Sequence, residues 1–181
     1  MTSPDASSSF AKSPEAAIPT LNLFTMLRLG VFNMGLGIMS LLTLGVLNRI
    51  MIDELQVPAL IAAGTIAVHQ FMAPARVWFG QMSDSRPMFG YHRSGYIWIG
   101  ILSVAVTSFL AVQVVWRIGG AMEATGWSSQ VYPWVGLLAM LFAVYGLAVS
   151  ATSTPFTALL VGGSAGQSRS RLVGIGWAMM L

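Results

Sequence analysis

The side chains that could do chemistry in this 181-residue chain are few, and most of them lie in one short segment. In order along the chain, that segment contains Gly80, Asp84, Arg86, Gly90 and Arg93. The glycines favour a tight turn, and Asp84 is expected to accept backbone N–H bonds at a helix start, where the helix dipole favours an anion. The arginines can pair with Asp84 or with lipid phosphates. The spacing therefore predicts a polar, hydrogen-bonded turn between two helices.

His69 is the second candidate, because it lies inside a long stretch without charged residues. A neutral imidazole is a good metal ligand, and an ionisable residue inside a membrane is a functional hypothesis by default. The alternative is a structural histidine that is hydrogen-bonded to a serine or threonine hydroxyl on a neighbouring helix. The sequence leaves both roles open.

The segments that position these residues are strongly apolar. Only 8% of the residues are charged, whereas 55% are hydrophobic. Four windows without a charged side chain contain 20, 21, 23 and 45 residues, and about 20 helical residues cross the hydrocarbon layer of a bilayer. This pattern excludes a soluble enzyme, a coiled coil and a nucleic-acid-binding protein. With no cysteine and no nucleotide-binding loop, hydrolytic triad or zinc motif, we expect no enzymatic activity.

The windows predict an all-α membrane protein with four transmembrane helices and part of a fifth. The four predicted spans are residues 27–47, 57–79, 94–116 and 134–161. Turns are expected at residues 49–58 and 117–133, and Pro74 is expected to kink the second span. As domains, we expect a disordered cytoplasmic tail (1–25), a four-helix region (26–161), a cytoplasmic Gly/Ser loop (162–171) and the start of a fifth apolar helix (172–181).

Small residues and basic residues add two further predictions. Because small side chains let membrane helices approach closely, we expect helix packing at Gly35, Gly37, Gly146 and Ser150. With the amino terminus inside, seven of the nine basic residues lie on the inner side. This bias predicts a cytoplasmic amino terminus.

The segment from Gly80 to Arg93 resembles the cytoplasmic signature of the major facilitator superfamily. Longer stretches resemble one branch of it, the PucC-type group associated with (bacterio)chlorophyll delivery and light-harvesting assembly. The likeness covers about residues 21–181 and only the N-terminal part of the family's twelve-helix fold. It is carried by residues 47–55, 74–80, 83–84, 90–97, 154–160 and 169–174.

The resemblance implies an assembly or pigment-handling factor in a thylakoid or bacterial photosynthetic membrane. Its partners would be lipids and light-harvesting or photosystem subunits, without nucleic acid, and its cofactor would be chlorophyll or bacteriochlorophyll. It also strengthens the interpretation of His69 as an axial ligand of the pigment magnesium, beside the structural alternative given above. A shortened structural subunit of a photosystem is the first alternative, and a solute transporter of the major facilitator type is the second.

Overall fold

The computed structural model describes residues 23–86 and 93–162, together with residues 170, 173, 174 and 178. The described part is helical and contains no strand. Helix α1 occupies residues 23–54 and consists of α-helix Leu23–Ser40, π-helix Leu41–Val46, the short α-helix Leu47–Arg49 and π-helix Ile50–Glu54. The remaining helices are α2 (Ala59–Phe71), α3 (Ala75–Ser85), α4 (Ser94–Thr125) and α5 (Tyr132–Gly162).

Within the described residues, three helices are long and apolar enough to cross a membrane, over Gly30–Glu54, Ser94–Thr125 and Tyr132–Leu159. The four spans and partial fifth predicted from the sequence are therefore not confirmed. The second predicted span is divided between α2, with 13 residues, and α3, with 11. An all-helical protein with three candidate spans is what the described residues contain.

The division between α2 and α3 follows from Pro74. Proline has no N–H to donate, and its ring clashes with the carbonyl four residues earlier. The helix accordingly ends at Phe71, and the N–H of Ala73 bonds the carbonyl of Gln70 at 3.0 Å in a tighter turn. A new helix then starts at Ala75. The kink predicted at Pro74 is confirmed, and it is a complete break.

The two predicted turns are shorter than expected, because the preceding helices continue into them and leave only residues 55–58 and 126–131 between helices. α1 extends to Glu54, and an ion pair one turn apart, Arg49 Nε to Asp53 Oδ2 at 3.5 Å, lies within its last turns. α4 continues past Trp116 to Thr125 and stops at Gly126, whose φ of 65° is a conformation that favours glycine. A few charged residues at the end of an apolar helix thus did not stop it.

α5 is the central helix and packs against α2, α3 and α4. One half of the bundle has an apolar core formed by buried side chains of four helices, including Met51, Ala62, Ile118 and Phe142. Helix α1 begins at Leu23, inside the predicted 1–25 tail. The rest of that tail, Gly90, and nearly all of the predicted 162–171 loop and 172–181 helix lie outside the described residues.

Candidate functional site

Arg93 connects the ends of three helices. Its Nε donates to Asp84 Oδ1 at 2.8 Å, and its Nη1 donates to the carbonyl of Ala158 at 3.1 Å. Asp84 lies in the last turn of α3, Arg93 immediately precedes α4, and Ala158 lies in the last turns of α5. We call this arrangement the Arg93 clamp.

The position of Asp84 corrects the sequence prediction. We expected a carboxylate at a helix start, but Asp84 is at a helix end, where the dipole disfavours a negative charge. The guanidinium of Arg93 supplies the compensating positive charge. Of the two arginines predicted to pair with Asp84, Arg93 does so, while the Arg86 side chain is exposed and bonds no described residue.

Gly80 lets α3 lie directly on α5. A Cβ added at Gly80 would lie 3.3 Å from Thr154 Cγ2. The neighbouring Ser83 is completely buried, and its Oγ donates to the carbonyl of Gly80 at 3.0 Å. The hydroxyl of Tyr96 donates to the carbonyl of Arg86 at 3.2 Å, which joins α4 to the end of α3. The signature residues that the structure describes therefore form a packed helix junction.

His69 lies in the last turn of α2 and is half-buried. Its Nδ1 is 2.5 Å from the carbonyl oxygen of Ile66. A carbonyl can only accept a hydrogen bond, so Nδ1 carries the proton and the Nε2 of the neutral ring keeps its lone pair. No described residue bonds Nε2, and no described buried side-chain nitrogen or oxygen is left unpaired. Nε2 therefore has some accessible surface in the described part of the chain.

The contacts around His69 differ from the expected structural alternative. Its hydrogen-bond partner is a carbonyl of its own helix, whereas we expected a hydroxyl of a neighbouring one. The ring meets that of Tyr145 edge-on, with centroids 6.2 Å apart. The backbone of His69 lies close to Gly146, where an added Cβ would be 2.5 Å from the His69 carbonyl oxygen. The described residues contain no group of three or more His, Asp or Glu side chains that could hold a metal ion.

Buried and partly buried hydroxyl groups continue from Tyr145 towards α1. The hydroxyl of Tyr145 donates to Ser40 Oγ at 3.1 Å. One turn further along α1, Thr43 Oγ1 donates to Ser108 Oγ of α4, also at 3.1 Å. Sequence reasoning missed these residues, although hydroxyl side chains inside charge-free windows were a signal that could have found them.

A groove of about 460 Å³ lies between α1 and α4. Its walls are apolar and include Leu42 and Val46 from α1 and Phe109 and Val112 from α4. The hydrogen-bonded Thr43 and Ser108 also line it. The groove occurs where α1 adopts its first π-helical segment, Leu41–Val46.

The four predicted packing residues differ in their burial. Gly146 and Ser150 are buried on α5, and Ser150 Oγ donates to the carbonyl of Gly146 at 2.8 Å. Gly37 is half-buried on α1. Gly35 is exposed, and an added Cβ there would meet no atom within 4 Å. The close contact expected at Gly35 is not made with the described residues.

Long apolar helices joined by hydrogen-bonded hydroxyl pairs are features of an α-helical integral membrane protein. The family model of the PUCC protein matches residues 46–181, which is more than half of the chain. The chain therefore belongs to the PUCC protein family.

Three relatives come from purple bacteria. The chain is 32% identical over 179 residues to protein PucC of Rhodovulum sulfidophilum, covering 95% of the chain and 38% of that protein. It is 31% identical over 169 residues to an uncharacterised protein of the puhA–bchM intergenic region of Rhodobacter capsulatus (92% and 34%). It is 26% identical over 162 residues to a bacteriochlorophyll synthase 44.5 kDa chain of Rhodobacter capsulatus (90% and 35%).

The chain thus spans little more than a third of the length of these relatives. No solved structure gives a significant match to the chain.

Proposed function

We propose that this chain is a membrane-embedded assembly or pigment-handling factor of photosynthetic chlorophyll–protein complexes. It acts by helix packing and by holding chlorophyll or bacteriochlorophyll, without making or breaking a covalent bond. Membership of the PUCC family and the name of the bacteriochlorophyll synthase relative support the link to pigments. The observation that carries the proposal is His69, with its Nε2 open and its Nδ1 bonded.

The chemistry of His69 fits a pigment ligand. If a chlorophyll is bound here, His69 would hold its magnesium ion through the Nε2 lone pair, and a single imidazole would suffice. Metal-binding histidines generally donate their other ring N–H to a carbonyl or carboxylate, which fixes the tautomer and the ring orientation. Ile66 supplies that carbonyl. The edge contact with Tyr145 restricts rotation of the ring further.

The remaining features support an assembly role in a photosynthetic membrane. Side chains along α1 such as Val31, Ile38 and Leu41 are exposed and apolar, and they would face lipids or the helices of light-harvesting and photosystem subunits. We further propose that the amino terminus is cytoplasmic and that the helices correspond to part of a major facilitator half. Within this proposal the Arg93 clamp stabilises the junction of α3, α4 and α5.

The test is the pigment content of the protein purified in mild detergent from a pigment-producing membrane. Because the ligand to magnesium is lost, His69→Leu is expected to lower the co-purified pigment by about tenfold or more. The matched control is Gln70→Leu, the same replacement at the exposed neighbouring position. Absorption spectra give the pigment-to-protein ratio, and mass spectrometry identifies the co-purifying subunits.

An unchanged pigment ratio in His69→Leu would reject the ligand role. Purification without photosystem or light-harvesting subunits, together with solute uptake by vesicles containing the protein, would favour a transporter.

A further inference from the structure

Arg76 is a charged residue that lies alongside the middle of an apolar helix. It is the second residue of α3, which runs parallel to α5. Four residues before it, Met72 lies against Gly146, and four residues after it, Gly80 lies against Thr154. Arg76 is therefore level with the part of α5 that lies halfway between these two contacts.

That level is within the hydrocarbon layer of a membrane that α5 spans. The halfway residue, Ser150, lies nine residues before the end of the candidate span Tyr132–Leu159. Arg76 itself lies eight residues before Asp84 of the Arg93 clamp. At a rise of 1.5 Å per residue these separations are about 12–14 Å, in a layer about 30 Å thick. Lipid phosphates lie outside that layer, so they are far from the backbone of Arg76.

The described part of the chain does not neutralise Arg76. Its side chain is exposed and bonds no described residue. The hydroxyl of Ser150, at the same level, already donates to the carbonyl of Gly146. Ionised side chains inside membranes are costly, and they almost always pair with another group or face a water-filled cavity. The position of Arg76 therefore calls for an anionic partner from outside the described residues.

The carboxylates of this chain do not suit that depth. Two of the six precede the first described helix, and the other four lie in the last turns of α1, α3 and α4. The one in α3 is already paired with Arg93. A second copy of the chain would present the same set, and so no carboxylate in the middle of an apolar helix. The six are Asp5, Glu15, Asp53, Glu54, Asp84 and Glu123.

The residues that follow Arg76 describe the rest of the partner. Val77 and Trp78 are 69% and 60% exposed, and Phe71 at the end of α2 is 76% exposed. Tryptophan and arginine are the residue types most enriched among those that dominate binding energy at protein interfaces. A surface that is apolar except for one cation is complementary to a partner that is apolar except for one anion.

We propose that the face of α3 around Arg76 binds a membrane helix of a chlorophyll–protein complex subunit, and that this helix carries an Asp or Glu inside its apolar stretch. The guanidinium of Arg76 pairs with that carboxylate, and Val77 and Trp78 pack beside it. The inference rests on the proposed function, because it takes the complex as the source of the helix. It adds the site of contact and the chemistry that selects the partner. An anionic phospholipid is the competing occupant.

The first experiment measures how much of the complex stays with the chain. The full chain is purified in mild detergent from a membrane that contains photosynthetic complexes, and mass spectrometry gives the ratio of retained subunit to chain. Arg76→Gln is expected to lower this ratio at least about tenfold, because it leaves the carboxylate of the partner helix unpaired in apolar surroundings. Arg86→Gln is the matched control, since Arg86 is an exposed arginine at the end of the same helix.

The second experiment identifies the carboxylate. Arg76→Lys keeps the charge and introduces an amine into a chain whose one lysine is Lys12. A membrane-permeant carbodiimide activates a carboxyl group as an O-acylisourea, and an amine in contact with it displaces the urea and forms an amide. We expect mass spectrometry to find an amide between this amine and an Asp or Glu in an apolar stretch of the retained subunit. Arg86→Lys should not form it.

Charge reversal then tests the pair directly. Arg76→Glu is expected to lower the ratio of retained subunit to chain at least as far as Arg76→Gln, because it places two carboxylates together. Replacing the identified acid of the subunit with arginine should restore the ratio. Since Arg76 bonds no described residue, the thermal unfolding midpoint of the chain should be the same in Arg76→Gln and the wild type.

Retention of the subunit by Arg76→Gln would overturn the inference and leave the assembly role standing. An amide to Asp5 or Glu15 of the same chain, no amide to a retained subunit, or a variant that loses only co-purified anionic phospholipid would also overturn it. If His69→Leu keeps its pigment while Arg76→Gln loses the subunit, the ligand role fails and this inference stands. A wild-type chain that retains no subunit would reject both the assembly role and the binding face.

Discussion

The α4–α5 pair and helix α1 contact their neighbouring helices in different ways. In the apolar window of α5, 44% of residues are buried, and in that of α4, 33%, but in that of α1 only 17%. Two glycines of these helices lie against a neighbouring helix: an added Cβ at Gly100 would overlap Thr152 of α5, and one at Gly146 would overlap His69 of α2. The glycines Gly35 and Gly45 of α1 have nothing within 4 Å.

Helix α1 is held by side chains instead. The rings of Phe32 and Phe156 have centroids 4.2 Å apart, and Ser40 and Thr43 form hydrogen bonds to α5 and α4. Because lipid is as apolar as leucine, close packing and hydrogen bonds, not transfer from water, supply the attraction between helices. Among the described residues, α5 is thus closely approached by the backbones of α4 and α2, while α1 is tethered by side chains and leaves a groove open.

The sharpest test of this difference is a methyl group added on α5. Gly146→Ala is expected to lower the free energy of unfolding by about 1–3 kcal/mol, because the Cβ would lie 2.5 Å from the His69 carbonyl oxygen, a rigid backbone atom. Gly136→Ala, on the same helix with open space around it, should be neutral or slightly stabilising. Thermal or detergent-induced unfolding measures both. Equal losses in the two variants would contradict the close approach.

A smaller loss of unfolding free energy is expected when the Arg93 clamp is removed. Arg93→Gln removes the partner of a partly exposed carboxylate and weakens the bond to the Ala158 carbonyl, so we expect a loss of about 1–2 kcal/mol. The Asp84 pair alone contributes less than that, because solvent screens it. Arg76→Gln is the control, since Arg76 is exposed and bonds no described residue. Equal free energies of unfolding in the two variants would contradict a stabilising role for the Arg93 clamp.

The tether of α1 should be weaker still. Tyr145→Phe removes the hydrogen bond to Ser40 and keeps the ring against His69. We expect a coupling of about 0.6 kcal/mol between the two hydroxyl groups, the average for such bonds between membrane helices. A double-mutant cycle with Ser40→Ala measures this coupling. A value indistinguishable from zero would show that the bond does not hold α1.

The smallest effect is expected on the exposed side of α1. Gly35→Ala adds a methyl group where nothing lies within 4 Å, so the free energy of unfolding should change by less than about 0.5 kcal/mol. The measurement is the unfolding experiment used for Gly146→Ala. A loss as large as that of Gly146→Ala would mean that α1 is packed as tightly as α5, and the distinction between the two regions would disappear.

The segments of the fold that the sequence predicted well are those dominated by one strong signal. The fourth predicted span, residues 134–161, agrees with α5. The Pro74 kink is present because proline has no backbone N–H to donate to the preceding turn. The predicted ends of α1 and α4 were wrong, because Arg49 and Arg117 end an apolar window but do not end the helix. Charge patterns mark where a chain leaves hydrocarbon, whereas backbone hydrogen bonding decides where a helix ends.

In the candidate site, too, the sequence predicted some features and not others. His69 was found from the sequence because a histidine in a charge-free window is conspicuous, but its open Nε2 could not be, since it depends on the Ile66 carbonyl. Tyr145, Ser40, Thr43 and Ser108 were missed. Their pairs lie 105 and 65 residues apart along the chain, and no local pattern connects them.

By itself, the sequence determined that this chain consists of apolar helices of bilayer-spanning length, because the scarcity of charge is a property of composition. It also determined the polar segment around Asp84 and the break at Pro74. Only the tertiary structure decided that Asp84 pairs with Arg93, that Gly146 and not Gly35 is in close contact, and that a groove lies between α1 and α4. The physical reason is that small residues permit close approach on any helix, but the relative placement of the helices selects which ones are used.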